Sequence, residues 1–211
     1  MVTGRIVMIA RRTIQVGCAC TAMLLLAITA AGQSVDAQAL VAPLRQGGLV
    51  IVMRHASSPR DVPTAATATA GNAKLERQLD EAGRNAAAAM GESLRRLKIP
   101  IASVLSSGTF RALQTVRLAG LPEPTVAAEL GDNGQSMQAT TDAQNAWLKA
   151  RVNQTPASGN VLIVTHMPNI ARAFPAWGML ADGEAVVVRP GGTAATVLGH
   201  IKIDDWPHLR P

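Results

Sequence analysis

VIVMRHASSP, residues 50–59, runs from an apolar stretch directly into an Arg-His pair and then into small polar residues. Residues 49–53 are uninterrupted apolar, partly β-branched and preceded by Gly47-Gly48, the pattern of a short strand buried on both faces. Such a strand delivers Arg54 and His55 to its carboxyl end. In a parallel α/β sheet that is the end where connecting loops converge and ligands bind.

The rest of the chain reads as alternating elements around this strand. Asp80 caps a predicted helix whose apolar positions Ala82, Ala86, Met90, Leu94 and Leu97 recur every three or four residues, with Pro100 beyond its end. Residues 101–105 form a second short strand and Thr109 to Leu118 a helix, while the polar segment Glu129 to Ser136 leads to a helix over 142–153. NVLIVT, residues 160–165, is another doubly buried strand, and it ends at His166. Residues 184–189 and 193–203, joined by Pro190-Gly191-Gly192, read as a terminal hairpin, and residues 61–74 as a long surface loop. Together these predict an α/β fold, a three-layer α/β/α sandwich with a mostly parallel central sheet.

At 211 residues the chain has room for one ordinary domain. Residues 1–37 read as a signal peptide: Arg5, Arg11 and Arg12 precede an apolar run over 18–28, and small residues follow at 35–37. The run is shorter than the roughly 20 residues of a spanning helix, so cleavage is expected, with no membrane span afterwards and a single domain over 38–211. Ala10 and Thr13 make Arg11-Arg12 a poor twin-arginine signal, so general secretion to the periplasm or exterior is the expectation. Both cysteines, Cys18 and Cys20, fall inside the leader, which leaves the mature domain without a disulfide. Its net charge falls from +6 to +4, with scattered cations, two Phe, three Trp and no Tyr. That composition argues against nucleic acid and fits an anionic small substrate. No Cys cluster or His-x-x-x-His pair offers a metal site, and no cofactor is implied.

Polar chemistry gathers at three strand ends: Arg54-His55, then SSGTFR over 106–111 with Arg111, then His166. Two guanidinium forks and two imidazoles at one rim suit a phosphoryl group. A histidine nucleophile needs one ring nitrogen held by an acceptor so that the other presents its lone pair; a backbone carbonyl can do this.

These residues carry a resemblance. Arg54-His55-Ala56 resembles the Arg-His-Gly signature of the histidine phosphatase superfamily, also called phosphoglycerate-mutase-like, in its Arg-His-Ala variant. RQLDEAGRNAAAAMGESL (77–94) resembles its Leu-Thr-Glu-x-Gly-Arg helix start, VLSSGTFRALQTVRLAG (104–120) its Ser-Ser-x-x-x-Arg-Ala-x-Gln-Thr segment, and VLIVTHMPNIA (161–171) its second-histidine strand. The resemblance implies that His55 becomes phosphorylated, that Arg54 and Arg111 clamp the phosphoryl oxygens, and that His166 is a further donor. It also implies a carboxylic acid for the leaving oxygen, for which Glu129 stands about where expected and Asp132 is the rival. Asp80, Glu81 and Arg84 are expected to set a helix start, Ser57 and Ser58 to be turn residues or phosphate donors, and His200 and His208 to be structural or exposed.

The expected function is an exported phosphomonoesterase acting on a phosphorylated small molecule or envelope component through a phosphohistidine on His55. Two alternatives stand beside it: an inactive module of the same fold that binds a phosphorylated ligand or partner, and a phosphohistidine-protein phosphatase. Export argues against a glycolytic mutase.

Overall fold

The apolar run becomes β1 (Val50–Arg54), the inner strand on which the fold is built. Its side chains alternate between two separate cores: Ile51 and Met53 pack in one, Val50 and Val52 in the other. This is why the stretch reads as continuously apolar, for neither face meets water. The computed structural model describes residue 1 and residues 36–132, 140–192 and 194–211, and its elements lie within the unit Ser34–Pro211. The leader expected over residues 1–37, with both cysteines, lies outside the described residues apart from its ends. Among the described residues no helix is long and apolar enough to cross a membrane.

The chain enters through α1 (Val41–Gln46), then β1, α2 (Glu81–Arg96), β2 (Ile101–Ser106), α3 (Phe110–Leu118) and β3 (Thr125–Val126). It continues through α4 (Asp142–Asn153), β4 (Asn160–Thr165), α5 (Met167–Ala173), β5 (Ala185–Arg189) and β6 (Thr196–Ile201). One six-stranded sheet has the order β3-β2-β4-β1-β5-β6. β3, β2, β4 and β1 are parallel to their neighbours, while the expected terminal hairpin β5-β6 adds antiparallel to β1. The three-layer, mostly parallel reading of the sequence therefore holds.

Two strand registers bring distant residues to one end of the sheet. Arg54 of β1 pairs with Thr165 of β4, so His55 and His166 leave the sheet side by side. Met53 pairs with Ala185, so the residues just before antiparallel β5 stand beside the same strand end. At the opposite end buried Asn160 receives the Leu49 amide and donates to the carbonyls of Leu44 and Pro100, which ties the starts of β1, β2 and β4 together.

The helix after Asp80 departs from the expected stripe at one point. Asp80 caps it, accepting from the Gly83 amide at 2.7 Å, but Ala82 is exposed. The expected Met90, Leu94 and Leu97 are buried and Ala86 packs against the same core, and Gly83, Ala87 and Gly91 add to that face. The two glycines let neighbouring backbone approach the helix: a Cβ at Gly83 would collide with the Ser57 backbone, and one at Gly91 with the Ala119 carbonyl. Backbone approaches that close admit only glycine.

Candidate active site

His55, at the end of β1, is 4% exposed. Its Nδ1 lies 2.8 Å from the Ala56 carbonyl, which can only accept, so Nδ1 carries the proton and Nε2 the lone pair. Arg111 Nε donates to that Nε2 at 3.1 Å. Burial, then the charges of His166, Arg111 and Arg54, lowers the His55 pKa from 6.5 to about 2, against a smaller opposing effect of the Ala56 hydrogen bond. The imidazole is therefore neutral across the physiological range, with its nucleophilic nitrogen unprotonated.

His166, 2% exposed, sits edge-on to His55 with ring centroids 5.2 Å apart. Arg111 Nη2 donates to its Nδ1 at 3.1 Å, which places the His166 proton on Nε2, 2.8 Å from Ser107 Oγ. Burial first, and then the guanidinium charges of Arg111, Arg77 and Arg54, push its pKa well below the ordinary value. Arg111, in the first turn of α3, thus touches both histidines, and it also forms a buried ion pair with Asp132. Burial draws its own pKa down while Asp132 draws it up. A guanidinium stays charged under both influences.

The Gln-Thr pair of the resemblance has a positioning task. Thr115 Oγ1 accepts from the Ala56 amide at 3.1 Å and donates to the Arg111 carbonyl at 2.9 Å, joining α3 to the end of β1. Gln114 Oε1 accepts from the Leu79 amide, joining α3 to the approach of α2. Arg54 donates to the Leu180 carbonyl at 2.8 Å and pairs with Asp182 at 2.5 Å.

These groups line a cavity of about 510 Å³ at the carboxyl end of the sheet. Arg54, His55, Arg111 and His166, the four residues expected from the sequence, are all in its wall, together with Asp132. Glu129 is not in the wall. The segment is held by its backbone: Asn169 and Gln144 donate to the carbonyls of Glu129 and Gly131, and Thr165 to that of Leu130. This clamp brings Asp132, 7% exposed, to the cavity beside Arg111.

Sequence reasoning left out Arg60, Arg77, Met167, Pro168, Met179 and Asp182, which complete the wall with Ser58. Arg77 had a signal, since it opens the motif that leads into α2. Asp182 had none until the antiparallel pairing of β5 with β1 was known. Ser57 and Ser58 are engaged locally, Ser57 donating to Asp80 and Ser58 to the Gln78 carbonyl. His200 pairs with Glu184 and His208 is exposed, as expected of both. Among the described residues no group of His, Cys, Asp and Glu is arranged to hold a metal ion.

No protein-family model matches the chain, and no curated protein does. Solved structures do. The protein histidine phosphatase SixA complexed with tungstate superposes with a TM-score of 0.55 at 22% identity, over 74% of this chain and 98% of that one. A phosphoserine phosphatase mutant from Entamoeba histolytica in complex with phosphoserine gives 0.52 at 12% identity, over 74% of this chain and 97% of that one. The likeness shows the fold: this chain, with its six-stranded, mostly parallel sheet flanked by helices, matches those two phosphatases across nearly their whole length.

Proposed function

We propose that this chain, built on the histidine phosphatase fold, hydrolyses phosphate monoesters through a phosphohistidine on His55. The observation that carries the reading is the fixed tautomer of His55: Nδ1 bound to the Ala56 carbonyl and an unprotonated Nε2 facing a cavity lined by arginines. In the free protein Arg111 Nε occupies that lone pair, so substrate binding must turn the N–H toward a phosphoryl oxygen. Nε2 then attacks phosphorus, the N–P bond forms and the bond to the leaving oxygen breaks. Arg54 and Arg111 hold the charge on the equatorial oxygens, and His166 joins them when its Nε2–H turns from Ser107 Oγ toward the phosphoryl group.

Asp132 supplies the proton to the leaving oxygen. Its carboxyl group stands in the cavity wall, ion-paired to Arg111, and a bound phosphoryl group that takes over Arg111's donors frees it to face the leaving oxygen. Water next attacks the phosphohistidine, Asp132 accepts its proton, the N–P bond breaks, and orthophosphate leaves with His55 restored. Residues 1–37, read as an export leader, assign the reaction to the periplasm or exterior and its substrate to phosphorylated molecules found there.

The purified protein is expected to release nitrophenol from p-nitrophenyl phosphate and, on rapid acid-free denaturation, to retain phosphate on His55. His55→Ala should lower turnover by on the order of 10³-fold or more. Binding of orthophosphate without turnover over a broad ester panel would instead make the protein a phosphate-binding module.

A further inference from the structure

Resting on the phosphatase reading, we infer that Asp182 is a built-in competitor of phosphate: its carboxylate pairs with Arg54 in the free protein and keeps the affinity for orthophosphate, the product, low. Arg54 ends β1 and stands in the cavity wall, where the reaction calls on its donors for phosphoryl oxygens. One Nη donates to the Leu180 carbonyl at 2.8 Å and the other pairs with Asp182 at 2.5 Å. Asp182 lines the same cavity. An incoming phosphoryl group therefore meets a guanidinium whose charge is already balanced, with a carboxylate beside it.

The turn that carries Asp182 is held by its other residues. The Gly183 N–H donates to the His55 carbonyl at 2.9 Å, and the Arg54 N–H donates to the Glu184 carbonyl at 3.1 Å. The Glu184 carboxylate accepts from the Ala181 N–H at 2.9 Å, and its other oxygen lies 2.8 Å from His200 Nδ1. Gly183 has φ 74°, and a Cβ there would lie 2.7 Å from the Ile203 side chain. The turn thus keeps its shape without the Asp182 carboxylate, whose contact is with the phosphate-binding guanidinium.

Removing that charge has two effects of opposite sign. A carboxylate beside a bound phosphoryl anion repels it and competes for Arg54, so its loss tightens binding; a carboxylate that orients Arg54 favours binding, so its loss weakens it. The Leu180 carbonyl still orients Arg54 when residue 182 is neutral, so the charge effect prevails. The Asp182 side chain is 36% exposed, and solvent screening limits the gain to about tenfold in Kd.

Calorimetry with orthophosphate at fixed low ionic strength tests this on the purified protein. Asp182→Asn is expected to bind about tenfold tighter, and Asp182→Glu, which keeps the charge, to stay within about threefold of the natural protein. Ester and product enter through the same phosphoryl group, so the KM for p-nitrophenyl phosphate should fall with the Kd while kcat does not rise. Asp142→Asn removes an equal charge from the exposed pair with Arg172 and should leave the Kd unchanged. Unchanged or weaker binding in Asp182→Asn overturns the inference, as does equal tightening in Asp142→Asn or Asp182→Glu; ester turnover then leaves the phosphatase reading standing. Absence of turnover over an ester panel overturns the phosphatase reading alone if orthophosphate still binds more tightly to Asp182→Asn. Failure of every variant to bind orthophosphate, with no turnover, overturns both.

Discussion

Arg111 is the residue on which the site converges, because one planar side chain meets both imidazoles and a carboxylate at the same time. A lysine offers one point of charge and could not span three partners. The carboxylate it holds leads to a prediction that separates proton donation from charge balance. Asp132→Asn should slow hydrolysis of an alkyl phosphate by about 10²-fold or more, since an alkoxide leaves only with a proton. The same variant should slow p-nitrophenyl phosphate by less than about tenfold, because nitrophenolate leaves without one. Equal losses on both esters would mean that Asp132 only orients Arg111. Arg54, His55, Arg111 and His166 were legible in the sequence because each follows or flanks a strand end. The choice between Glu129 and Asp132 was not, since side chains of α4, β4 and α5 clamp that segment by its carbonyls, and no local pattern records this.

At the scale of elements, α2 sets how closely the loop and α3 approach the sheet end. Its two buried glycines allow separate tests. Gly91→Ala drives a methyl into the Ala119 carbonyl where α2 meets the end of α3, and should cost about 1–3 kcal/mol in urea unfolding. The site lies elsewhere, so kcat/KM should change little. Gly83→Ala pushes on the Ser57 backbone, two residues beyond His55, and should lower kcat/KM as well as stability. If both variants lose activity in proportion to stability, α2 does not position the nucleophile strand end. Helix and strand placement was readable from periodicity, whereas the close contacts at Gly83 and Gly91 of α2 were not, because glycine counts as neither polar nor apolar in a hydrophobic pattern.

For the whole molecule, the buried neutral histidines tie stability to pH. An unfolded chain titrates His55 near 6.5, while the folded site holds it neutral to about pH 2. Between those values the unfolded state binds more protons, so stability rises with pH and is lost as pH falls below about 6.5. His166 acts in the same direction. Each histidine contributes a slope of up to about 1.4 kcal/mol per pH unit in that window. Urea midpoints should therefore drop between pH 7 and pH 5, and His55→Gln should flatten the fall; identical midpoints for the natural protein at the two pH values would contradict the burial of neutral imidazoles. By itself the sequence determined the α/β alternation, the two strands buried on both faces, and the delivery of an arginine and two histidines to their carboxyl ends, because strand burial and helix capping are written in local residue order. Only the tertiary structure decided that Asp132 joins them, that antiparallel β5 brings Asp182 onto Arg54, and that Arg60 and Arg77 share a wall. Those placements depend on register and on backbone clamps between segments far apart in the chain, where physical proximity has no counterpart in sequence spacing.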